Sequence, residues 1–150
     1  MSTDGLDPET LTGILTQTRR IALVGASNKP HRASHEVMAY LLARGFDVTP
    51  VNPMLAGQKI HSRIVVATLD EATPLEMVDL FRNAARVGPA VDDAIRLGAR
   101  VVWMQLGVVD EAAAARARAA GIIVAMDRCP VIEFARLGIK NSPPAANRQP

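Results

Sequence analysis

Ile21-Ala22-Leu23-Val24-Gly25-Ala26-Ser27-Asn28-Lys29-Pro30-His31-Arg32-Ala33-Ser34 decides how the rest of the chain is read. Four successive apolar residues ended by glycine fit a strand buried on both faces. A polar loop, Ser27 to Arg32, leads to Ser34, a residue type suited to capping a helix, and the pattern then predicts a helix from Glu36 to Arg44, stopped by Gly45. A glycine lets the backbone leave the strand tightly, and Ala26 and Ser27 are small enough for a phosphate to approach. Free N–H groups and the dipole at the following helix N-terminus favour an anion. Ser27 and Ser34 add hydroxyl donors, while Lys29 and Arg32 add charge. Strand-loop-helix turns are common, so the same residues fit equally a polar surface loop whose Ser34 merely caps a helix.

Outward from this turn, short apolar runs alternate with helical segments. Asp7-Pro8-Glu9 is a helix start, and Leu11, Ile14 and Leu15 fall on one face of the helix that follows. Strands are expected at Val48–Val51, Met77–Phe81, Val101–Met104 and Ile122–Met126, with a weak short one at Ile64–Ala67. Helices are expected over Pro89–Leu97, Asp110–Ala120 and Val131–Leu137. This alternation predicts an α/β fold, a Rossmann-like, three-layer, doubly wound and mostly parallel sheet with helices on both faces. Right-handed crossovers put every strand's C-terminal end on one edge, where open α/β folds bind ligands. The expected organisation is an N-terminal helix over 1–18, one domain over 19–138, and a polar, proline-rich tail over 139–150 that is expected to be disordered.

Composition narrows the function. At 150 residues, 49% hydrophobic and 21% charged, the chain has the balance of one globular domain. A net charge of +2 is too small to argue for nucleic acid, and the few aromatics disfavour base-stacking platforms. The pI near 9.1 fits an anionic ligand. The single cysteine, Cys129, excludes an internal disulfide, a two-cysteine redox motif and a thiolate zinc site. No secretory pattern and no apolar run of about 20 residues is present, so the expectation is a cytoplasmic protein away from the membrane. His31 and His35 lack a cysteine or carboxylate partner at recognisable spacing, and no metal is expected.

The dinucleotide fingerprint is missing. The turn has one glycine rather than three at G-x-G-x-x-G spacing, and the second strand ends in Val51-Asn52-Pro53 without the acid that would hold an NAD ribose. Asp47 lies at the wrong end of that strand. NAD is disfavoured, and NADP is left only the basic loop.

Five segments in order, each at an expected strand end, carry a resemblance: Val24-Gly25-Ala26-Ser27 with Arg32 and Ser34; Pro50-Val51-Asn52-Pro53; Asp79-Leu80-Phe81-Arg82; Val102 to Gly107; and Met126-Asp127-Arg128-Cys129-Pro130. Over roughly Arg19 to Leu137 the chain resembles the small bacterial CoA-binding proteins, a family similar to the CoA-binding domain of the succinyl-CoA synthetase α-subunit. The resemblance implies coenzyme A as ligand, with Gly25, Ala26, Ser27 and Ser34 cradling the phosphates and Lys29 and Arg32 as counter-charges. It implies that Asn52 and Pro53 wall the adenosine and that Lys59 reaches the 3′-phosphate. Phe81, Arg82, Gln105 and Gly107 would line the pantetheine arm.

Each later residue also has a plainer role. Trp103, inside an apolar strand, is expected to be core. Gln105 could satisfy a loop carbonyl, and Arg82 could pair with Asp79. Cys129 precedes a proline suited to a helix start, which with Arg128 would favour its thiolate near the ligand edge; a packed, inert thiol is the alternative. The expected function is a stand-alone module that binds CoA or an acyl-CoA, with homo-oligomers compatible. The alternatives are a CoA-binding component of an acyl-CoA synthetase assembled with other subunits, or an NADP-binding reductase. A P-loop, the phosphohistidine domain and the nucleotide-grasping portion of a synthetase are not found in the sequence, so no catalytic activity is expected of the chain by itself.

Overall fold

The computed structural model describes residues 3–140; the part of the expected tail from Asn141 onward lies outside the described residues. Five parallel strands make the main sheet: β1 (Arg20–Val24), β2 (Asp47–Val51), β5 (Met77–Leu80), β6 (Val101–Met104) and β7 (Ile123–Ala125), in the order β2-β1-β5-β6-β7. Between β2 and β5 a small antiparallel hairpin pairs β3 (Lys59–Ile60) with β4 (Arg63–Ile64). The fold is the α/β Rossmann-like arrangement the sequence predicts, with helices α1 (Pro8–Gln17), α2 (Ala33–Ala43), α3 (Ala84–Arg96), α4 (Glu111–Ala119) and α5 (Pro130–Leu137).

Strand alternation divides the core in two. Ala22 and Val24 face one cluster with Val78, Leu80, Val102 and Met104, covered by α3 and α4 through Val87, Val91, Ala113 and Ala117. Ile21 and Leu23 face the other with Met77 and Trp103, covered by α1, α2 and α5 through Leu11, Leu15, Met38, Leu41 and Phe134. Burying both faces is why β1, from Ile21 on, and β6 read as unbroken apolar runs. α1 starts as its residues dictate: Asp7 accepts the N–H of Thr10 at 2.8 Å and Pro8 occupies the first turn.

Three expectations change. The strand expected at Ile64–Ala67 is split, its first residue ending the hairpin and Val66 forming one parallel bridge to Val51. The Val66 N–H donates to Pro50 O (3.0 Å) and the Asn52 N–H to Val66 O (2.9 Å). This stub lies outside β2, so the sheet grows from β1 in both directions and reverses between β1 and β5. The helix expected from Pro89 starts at Ala84, with Pro89 inside it as its sixth residue, where it has no N–H to give to Ala85 O. Ser34 is not the cap of α2; Arg32 holds that position and Ser34 is buried within the first turn.

Candidate functional site

The reversal of strand order opens a crevice above the ends of β1 and β5, and the backbone there is tightly specified. Gly25 sits at φ +88°, and a Cβ on it would lie 3.2 Å from the backbone carbon and oxygen of Phe81. A side chain is therefore excluded twice, by conformation and by the approach of the chain leaving β5. The N–H groups of Gly25 and Ala26 both donate to Val51 O, at 3.0 and 3.4 Å. Asn52 ties the neighbouring loop to the same turn: its Nδ2 donates to Ala26 O at 2.8 Å, and its Oδ1 accepts the Met54 N–H at 2.9 Å. Ser27 Oγ accepts the Lys29 N–H at 3.1 Å, and the Arg32 N–H donates to Lys29 O at 3.0 Å. The loop is thus folded on itself before any ligand arrives.

At the start of α2 the N–H groups of His35 and Glu36 bond Arg32 O. Those of Ala33 and Ser34 find no acceptor among the described residues, as expected of a helix N-terminus, and the Arg32 side chain, a donor, makes no cap bond. They open on a cleft of about 420 Å³ lined by Gly25, Ala26, Ser27, Lys29, Arg32, Ser34, Asn52 and Phe81, eight of the residues singled out from sequence. Asn28, Ala33, Met54 and Leu55 line it as well. Met54, 84% exposed, carried no motif that sequence reasoning could use. Lys29 and Arg32 have no acidic partner among the described residues, whereas Arg19, Arg63, Arg96, Arg116 and Arg128 each pair with a carboxylate. The cleft therefore combines free backbone donors, uncompensated positive charge and small side chains, a combination chemically suited to an anion such as a phosphate.

The other sequence candidates stand outside this cleft. Pro53 opens an exposed 3-10 turn, Lys59 is exposed on the β3–β4 hairpin, and Arg82 is partly exposed at the exit of β5. Gly107, at φ +79°, donates its N–H to Asp127 Oδ1 at 2.7 Å. Gln105 is buried and meets no loop carbonyl: with its amide nitrogen turned toward Asp79, it donates to both carboxyl oxygens, at 2.9 and 3.2 Å. Asp79 is fully buried, so it does not pair with Arg82 either, and burial holds its carboxyl well above the usual carboxylate range.

Trp103 is core, with its Nε1 donating to Arg128 O at 2.9 Å. Cys129 is buried at the N-cap of α5, and Pro130 begins that helix. The Arg128 guanidinium is not free to act on the thiol, because it binds Asp4 (2.6 Å from Nε) and Glu133 (3.1 Å). His35 packs against His61, ring centroids 4.1 Å apart, and no group of three candidate metal ligands occurs among the described residues. No helix among those residues is long and apolar enough to cross a membrane.

Residues 19–135 match the sequence profile of a family described as a CoA binding domain. The chain is 31% identical over 116 residues to the uncharacterized protein YneT of Bacillus subtilis (strain 168), covering 77% of this chain and 85% of that one. A solved hypothetical protein from Pyrococcus horikoshii OT3 superposes with a TM-score of 0.86 at 40% identity, over 91% of this chain and 96% of the other. A Rex-family repressor, RSP, superposes with a TM-score of 0.58 at 20% identity, over 85% of this chain and 62% of its own, a likeness of fold alone.

Proposed function

The chain belongs to the CoA-binding domain family, and from that premise we propose that it binds coenzyme A, free or acylated, as a self-standing module with the pyrophosphate at the N-terminus of α2. The observation that carries this reading is the meeting of the open Ala33 and Ser34 N–H groups with unpaired Lys29 and Arg32 in one cleft at the strand-order reversal. Two phosphates placed there gain charge-assisted bonds without displacing any existing ion pair. Asn52, Pro53 and the exposed Lys59 would take the adenosine end with its 3′-phosphate, and Phe81, Arg82, Gln105 and Gly107 would border the pantetheine arm. Because Gln105 is turned onto Asp79, its contribution would be to the floor of that path rather than to a direct amide contact.

RSP has been solved in complex with NADH on a similar fold, so a dinucleotide is the natural competitor. In a dinucleotide site an acid near the end of the second strand grips the ribose. Here that place is held by Asn52, whose amide nitrogen and oxygen are both committed to the loops it joins. Competitive calorimetry with CoA, NADP and NAD tests the reading. CoA is expected to bind tightest, and tighter binding of NADP would overturn it.

A further inference from the structure

A second cleft, of about 440 Å³, lies on the same edge of the sheet, over the ends of β6 and β7. Its walls come from Leu6 before α1 and Pro8 at its start, the exit of β6 (Leu106), the exit of β7 (Asp127, Arg128) and α5 (Glu133, Arg136). Both clefts lie on the edge where the strands end. Phe81 borders the first and Leu106 the second, at the exits of the adjacent strands β5 and β6.

Both cations of this second cleft, Arg128 and Arg136, are already paired, and its one carboxylate outside an ion pair is Asp127. Asp4, its carboxyl fully buried, receives Arg128 Nε at 2.6 Å and Nη2 at 2.9 Å, as well as the N–H groups of Met126 (2.9 Å) and Leu6 (3.0 Å). Glu133 takes Arg128 at 3.1 Å and Arg136 at 2.6 Å. Asp127 Oδ1 takes the Gly107 N–H. These bonds fix the walls and leave little demand for another charge. The apolar surface the cleft leaves exposed is above all Leu106, 56% exposed.

Geometry connects this cleft to the first. Adjacent strands lie about 4.8 Å apart, so the exits of β1 and β7, three strands over, are about 14 Å apart. The pantetheine arm has about twelve bonds from its phosphate ester oxygen to the sulfur, and a peptide-like chain advances at most about 3.5 Å per three bonds, giving about 14 Å. An arm anchored at α2 and laid along the edge can therefore reach the second cleft when it is extended.

We propose that the cleft between Leu6, Pro8 and Leu106 receives a short, uncharged aliphatic acyl group carried on the thiol of the bound cofactor, so that the protein prefers an acyl-CoA to free CoA. This rests on the CoA reading of the first cleft. Burying one methylene is worth about fourfold in affinity, so a butyryl chain with most of its length in the cleft gains about tenfold.

The test is calorimetric titration of the whole protein with CoA and with butyryl-CoA, repeated on Leu106→Ser, with circular dichroism to verify folding; the exposed position makes a folded variant the expected case. The expected result is butyryl-CoA binding about tenfold tighter than CoA to the wild type, with the ratio falling toward one in Leu106→Ser. Equal affinities for the two ligands in the wild type overturn the inference and leave the CoA reading standing. A preference that survives Leu106→Ser also overturns it, since the acyl group then sits elsewhere. Pro8→Ser gives the same readout from the opposite wall should Leu106→Ser not fold. If wild-type protein binds neither ligand, the CoA reading itself has failed and this inference falls with it.

Discussion

Gly25→Ala probes the point where backbone conformation and ligand geometry coincide. At φ +88° an alanine loses about 1–2 kcal/mol relative to an ordinary backbone region. The new Cβ would also stand 3.2 Å from the Phe81 carbonyl carbon and oxygen, atoms pinned in place because the Phe81 N–H donates to Val24 O at 2.9 Å. Relieving that contact means moving β1 and β5 apart, an overpacking cost of about 1–3 kcal/mol. Reduced freedom of the unfolded chain returns less than about 1 kcal/mol. The net expectation is a loss of about 2–3 kcal/mol, or roughly 5–10 °C in Tm for a domain of this size. Gly57→Ala supplies the comparison: its φ is +89°, but nothing lies within 4 Å of its would-be Cβ, so only the conformational part applies. Thermal unfolding of the two variants, with CoA titration of each, separates the effects. Gly25→Ala should be the less stable by several degrees and should bind CoA at least tenfold more weakly, while Gly57→Ala retains affinity. Equal Tm losses would show that the approach of Phe81 costs nothing, and unchanged CoA affinity in Gly25→Ala would refute the phosphate cradle.

Arg32→Ala should weaken CoA binding by about 1–3 kcal/mol, the worth of a charge-assisted bond, and leave Tm nearly unchanged because the side chain is exposed and unpaired. Titration with dephospho-CoA assigns the contact: a persisting deficit places Arg32 on the pyrophosphate, its disappearance on the 3′-phosphate, and undiminished CoA affinity refutes any contact. Asp79→Asn should alter the pH dependence of stability. Burial raises the Asp79 pKa in the folded protein, so the unfolded chain releases that proton first, and wild-type stability falls as pH rises above about 4 toward the raised folded value. Asparagine has no proton to lose, so its Tm relative to wild type should climb over that window and then level off; parallel Tm–pH curves would refute a buried, proton-holding Asp79.

The sheet was legible because its strands are buried on both faces and leave unbroken apolar runs such as Ile21 to Val24 and Val101 to Met104. The first turn was legible as a turn for a related reason, since a glycine after an apolar run followed by a polar loop marks where the strand ends, but that pattern alone did not separate a ligand loop from a plain surface loop. The hairpin β3–β4 was not, because paired runs of two residues are too short to show alternation. Ser34 was misread because capping propensity names a residue type, whereas the helix starts where the loop's own hydrogen bonds end, at Arg32. Pro89 misled in the same way, since proline favours a first turn without being confined to one.

Side-chain partnerships were the least legible layer, and the reason bears on function. Asp79 and Arg82 are three residues apart and look like a surface pair, but the strand ends between them. Asp79 is turned into the core toward Gln105, while Arg82 remains at the edge without an acid among the described residues. The opposite happened to Arg128, which looked like a free charge beside Cys129 until the fold brought Asp4 to it across the molecule. A sequence lists charges, and only the fold subtracts those that neutralise one another. After that subtraction, Lys29 and Arg32 still face the first cleft uncompensated, whereas the second cleft is left with no unpaired cation around Leu106. In the reading proposed above, the pyrophosphate therefore lies at the first cleft and an acyl group at the second, with the arm between them laid along one sheet edge.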